Sequence, residues 1–108
     1  MRYKVETIDN FESEAKRLIK KYHSLKNEIA TLITKMESNP FLGTSLGGNC
    51  YKIRLSVASK GKGKSGGVRI ITCVKFINNT VYLISIFDKS ERENILDKEL
   101  KALINQFK

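Results

Sequence analysis

At 108 residues, with 20 Lys and Arg against 11 Asp and Glu and an apolar fraction of 41%, the chain reads as one basic globular domain over residues 1–108. That apolar share excludes disorder, no apolar run approaches the ~20 residues of a membrane span, and the opening Met1–Glu6 lacks the apolar core of a signal peptide. Cys50 and Cys73 have no close-spaced partners and are expected as buried reduced thiols, which places the protein in the cytoplasm.

Tyr3, Val5 and Thr7 alternate with Lys4 and Glu6 and predict a short first strand. Asp9 to Glu12 has the form of a capping box, with Asp9 capping and Glu12 reaching back. Phe11, Ala15, Leu18, Ile19 and Tyr22 then recur on one helical face, and Leu25, Ile29, Leu32, Ile33 and Met36 repeat the spacing. Ser24 is the expected N-cap of this second helix, and Ser38-Asn39-Pro40 its stop. The short link at His23-Ser24 folds the pair into an antiparallel hairpin.

Residues 41–49 read as loop, punctuated by Gly43, Gly47 and Gly48. The period switches to two at Tyr51, with Tyr51, Ile53 and Leu55 on one strand face and Lys52 and Arg54 on the other. Val68 to Phe76 and Val81 to Phe87 are β-branched runs separated by a turn at Asn78-Asn79, so three strands form an antiparallel meander. Leu96, Leu100, Leu103, Ile104 and Phe107 predict a last helix, capped by Asp97 or Ser90 and packed on the sheet. The expected order is β-α-α-β-β-β-α, an α+β fold with a small antiparallel-rich sheet.

Charge is distributed far from evenly. No Asp or Glu occurs between Glu37 and Asp88, whereas Lys52, Arg54, Lys60, Lys62, Lys64, Arg69 and Lys75 all lie there and carry most of the +9 net charge. Such a field draws polyanions, phosphate backbones above all. The segment has no carboxylate pair for glycosidase chemistry or for Mg²⁺, no Cys/His cluster has zinc spacing, and lone His23 reads as an exposed helix-end residue. Ala58 to Ser65 fits a loose phosphate-loop pattern, but β-branched Val68–Ile71 follows where that loop must open a helix, so the nucleotide reading is rejected. What remains is a lysine-glycine loop able to lie against phosphates, with Lys60, Lys62, Lys64 and Lys75 as candidate RNA contacts.

Cys50–Leu55 (CYKIRL) and Ser59–Ile71 (SKGKGKSGGVRII) resemble the RelE/ParE toxin superfamily, nearest its RelE/HigB-like branch. Glu37–Gly43 and Val81–Glu91 extend the resemblance over almost the whole chain. It implies a microbial RNase-like fold, cleavage of ribosome-bound mRNA without a metal or other cofactor, and a cognate antitoxin as partner beside ribosome and mRNA. Position by position it makes Lys52, Arg54, Arg69 and Lys89 the catalytic residues, stabilising phosphate charge and assisting proton transfer as a ribose 2′-OH attacks the adjacent phosphorus. One position departs: Ile95 stands where RelE has a tyrosine, and the nearest tyrosine, Tyr82, lies mid-strand. Either a lysine then carries the proton or activity is reduced. The alternatives are a ParE-type inhibitor of DNA gyrase, which has no need of this cation cluster, and a basic RNA-binding domain without catalysis.

Overall fold

A computed structural model describes residues 2–60 and 66–107. The elements are β1 (Lys4–Thr7), α1 (Asp9–Lys21), α2 (Leu25–Ser38), β2 (Thr44–Gly47), β3 (Cys50–Leu55), β4 (Val68–Lys75), β5 (Thr80–Asp88) and α3 (Asp97–Ile104). Single 3-10 turns occupy Ala58–Lys60, Phe76–Asn78 and Asn105–Phe107. The strands form one mixed sheet in the order β1-β5-β4-β3-β2, with β1 parallel to β5 and the other pairs antiparallel. The α+β class is as expected, and the helical periods hold: α1 buries Phe11, Ala15 and Leu18, and α2 buries Leu25, Ile29, Leu32 and Met36.

The two central strands explain their own sequences. Seven of the eight residues of β4 are buried, as are eight of the nine of β5, so both faces are covered and the runs are continuous rather than alternating. The neighbouring β3 keeps the period of two, with Ile53 buried and Arg54 exposed.

Several local expectations are corrected. The N-cap of α1 is Ile8, not Asp9, and Glu12 accepts a hydrogen bond from the Thr7 hydroxyl, so no capping box forms. Ser24 does precede α2, but its hydroxyl serves Glu28 and Ser59 rather than the helix amides. Residues 44–47, read as loop, pair with β3 as a fifth strand; Gly47, Gly48 and Asn49 all have positive φ and turn the chain between them. Glycine and serine hide this strand from a propensity reading. β4 ends at Lys75, one residue before the expected Phe76. Leu96 is 71% exposed as the N-cap of α3, which buries Leu103 instead, and neither Asp97 nor Ser90 caps the helix.

The cysteines are also corrected. Cys50 and Cys73 are direct partners in the β3–β4 register and form a disulfide with S–S 2.07 Å. A sequence separation of 23 conceals that juxtaposition from the sequence. The free-thiol argument for a reducing compartment therefore falls away. Among the described residues no helix is long and apolar enough to cross a membrane.

Candidate active site

Register assembles the basic site. Arg54 of β3 lies directly opposite Arg69 of β4, and Lys52 opposite Ile71, so alternate residues place all three cations on one face. Lys89 arrives immediately after β5, its amide donating to the Gly67 carbonyl at 3.2 Å. These four side chains line one open cleft of ≈ 960 Å³, whose wall also includes Lys35, Thr44, Glu93 and Asn94. Gly43 belongs to the same wall: at φ 98° it lies against the Lys52 carbonyl so closely that no side chain would fit.

Each cation is held differently. Arg69 is 4% exposed, and its Nη1 donates to the carbonyls of Gly66 (2.6 Å) and Val68 (3.3 Å). Burial and then the facing Arg54 push the Arg69 guanidinium below its usual pKa. Like charges directly opposite are destabilising in a sheet, so this pair costs stability rather than adding to it. Lys52 Nζ lies 3.4 Å from Asn94 Oδ1, and Lys89 Nζ lies 3.3 Å from the exposed carboxylate of Glu93. Arg54 is exposed on the cleft. Among the described residues, five cations therefore face a single carboxylate across this wall. Among the described residues, no three His, Cys, Asp or Glu side chains gather so as to hold a metal ion.

A family model described as the RelE toxin of the RelE/RelB toxin–antitoxin system matches residues 9–107. The chain belongs to the RelE toxin family. Solved structures from E. coli share the fold. A double arginine-to-alanine variant of the toxin RelE in the free state superposes with TM-score 0.61 at 15% identity, over 100% of both chains. The isolated RelE toxin gives 0.61 at 16% identity, over 97% of this chain and 99% of that one. The intact RelBE toxin–antitoxin complex gives 0.59 at 18% identity, over 78% and 93%.

The remaining expected positions of this RelE-family chain divide. Lys60 does not point into the cleft: its ammonium bonds Asp88 Oδ1 at 2.8 Å and the Gly67 carbonyl at 3.1 Å. Lys75 donates to the Phe107 carbonyl at 3.1 Å, about 20 Å along β4 from Arg69 at ~3.3 Å per residue. Lys62 and Lys64 lie outside the described residues. Ile95 is buried at 7% exposure, and the Tyr82 ring stacks on Phe107 at 4.3 Å, so neither faces the cleft. Sequence reasoning missed Glu93, Asn94 and Lys35. The first two follow Lys89 within one short irregular segment, and an acid four residues after a candidate cation is the signal that could have flagged Glu93.

Proposed function

We propose that this chain is the toxin of a type II toxin–antitoxin pair and acts as an endoribonuclease on ribosome-bound mRNA. The observation that carries the reading is the convergence of Lys52, Arg54, Arg69 and Lys89 on one cleft. Transfer within RNA forms a bond from the ribose 2′-oxygen to the adjacent phosphorus and breaks the bond from phosphorus to the 5′-oxygen, leaving a 2′,3′-cyclic phosphate and a 5′-hydroxyl. Negative charge accumulates on the non-bridging oxygens, where cations fixed before the reaction act most strongly. Arg54 and Arg69 supply planar donors to those oxygens. Glu93 takes the proton from the 2′-hydroxyl and Lys52 returns one to the leaving 5′-oxygen, while Lys89 orients Glu93. No cofactor enters these steps.

An antitoxin partner fits the same surface. A chain of net charge +9 with five basic residues on one cleft suits an acidic segment, and the similar RelBE structure is a toxin–antitoxin complex.

Purified protein added to translating ribosomes tests the reading, with cleavage mapped on the mRNA. Cuts by the wild type that vanish in Arg54→Ala are the expected result. Intact mRNA with the wild type, together with inhibited gyrase supercoiling, replaces it with the gyrase reading.

A further inference from the structure

Asp88 is the one acid among the described residues that is fully buried. Its Oδ2 accepts from the Tyr22 hydroxyl at 2.6 Å, and its Oδ1 from Lys60 Nζ at 2.8 Å, the Ser90 amide at 2.9 Å and the Ser90 hydroxyl at 2.7 Å. Lys60 itself is 13% exposed and donates a second bond to the Gly67 carbonyl. That carbonyl also receives the Lys89 amide. One residue earlier, the Gly66 carbonyl receives Arg69 Nη1. The two legs of the lysine-glycine loop, at Lys60 and at Gly66-Gly67, are thus tied to one carboxylate and to each other. Both catalytic cations outside β3 hang from the second leg.

The first leg is anchored again on the helices. Ser59 and Ser24 exchange amide-to-hydroxyl hydrogen bonds at 3.0 and 3.1 Å, and the Ala58 amide donates to Glu28 Oε2 at 2.8 Å. Gly67 has φ 52° and lies against the Leu55 carbonyl so tightly that a side chain would clash. The turn therefore has little room to shift except by losing the Lys60 bridge.

A buried ion pair contributes little net stability, because desolvation offsets the attraction; such a pair can persist where it fixes one geometry. We propose that Lys60 and Asp88 form a positioning pair: together they hold the Gly66-Gly67 turn, and through it Arg69 and Lys89, at the spacing the cleft requires. This rests on the endoribonuclease reading for its rate consequence, but its geometric part stands without it. The role of Lys60 is then internal, not contact with RNA.

Three variants test it: Lys60→Met, Lys60→Arg and the double Lys60→Met with Asp88→Asn. Losing about an ångström of placement costs up to ~100-fold in rate, so Lys60→Met is expected to lower kcat on ribosome-bound mRNA about 10- to 100-fold with KM within about twofold. Lys60→Arg, which can still bridge Asp88 and Gly67, restores most of the rate. The double variant melts within a few degrees of wild type yet stays slow, because neither charge is left buried alone and the bridge to Gly67 is still missing. Amide exchange supplies a readout independent of catalysis. Lys60→Met should accelerate exchange at Lys89 while the β4–β5 ladder stays protected. Unchanged protection at Lys89, or unchanged kcat in a wild type that does cleave, overturns the inference. A wild type that leaves mRNA intact overturns the endoribonuclease reading alone, and the exchange result then decides the positioning pair.

Discussion

The two ends of β4 carry cations of opposite character. At the cleft end Arg69 is buried opposite another arginine, with carbonyls but no carboxylate bonded to it. At the far end Lys75 is half-buried and its ammonium closes onto the Phe107 carbonyl in the 3-10 turn after α3, beside the stacked Tyr82 and Phe107 rings. Both residues stood in the same acid-free stretch and looked alike in sequence. The far end spends its cation on closing the fold, whereas the cleft end holds its cation against carbonyls, a charge the proposed function directs at phosphate.

The largest expected break in that comparison is Arg54→Ala. Removing one preorganised donor to transition-state charge costs roughly 10²–10³ in rate. Removing it also relieves the repulsion on Arg69, so the melting temperature should hold or rise while cleavage collapses, a combination read by thermal unfolding beside the mRNA assay. Lys75→Ala should leave cleavage within about twofold and lower stability by about 1 kcal/mol, the worth of a hydrogen bond to a carbonyl.

The disulfide joins β3 to β4 between these ends. Closing a loop of this length in the unfolded chain stabilises by about 2–4 kcal/mol. Reduction, with Cys50→Ser as control, should lower the unfolding free energy obtained from denaturant titration by that amount.

Acid should weaken the ties beneath the cleft, along with the Glu91 and Glu99 pairs to Arg17 and Arg92, whose carboxyls also lie below their ordinary range. Burial raises the Asp88 pKa, but hydrogen bonds from Lys60, Tyr22 and Ser90 outweigh it and hold the carboxyl well below its ordinary range. A folded-state value below the unfolded one, about 3.9, contributes stability that is present above pH ~4 and is lost as pH falls toward the folded value. Stability measured between pH 5 and 2.5 should drop less steeply in Asp88→Asn than in wild type. The smallest effect is expected for Tyr82→Phe, which forfeits one 3.4 Å bond from Asn78 and should change neither cleavage nor melting beyond error. A marked loss of cleavage there would reassign the proton carrier to Tyr82.

The sequence by itself determined the elements whose signal is local: two amphipathic helices, three inner strands, and a charge field concentrated in one segment. It also identified Lys52, Arg54, Arg69 and Lys89, whose side chains do meet on one cleft. It misjudged features that depend on partners distant in the chain. β2 is a strand because β3 offers it a ladder, not because glycine and serine favour extension. Cys50 and Cys73 are bonded because the antiparallel register sets them opposite each other. Lys60 and Asp88 are a pair because two loop legs and a strand end meet beneath the cleft. Periodicity and composition report what a residue's neighbours along the chain allow. Whether a lysine faces phosphate or a buried carboxylate is decided only when desolvation and hydrogen-bond geometry act on the assembled fold.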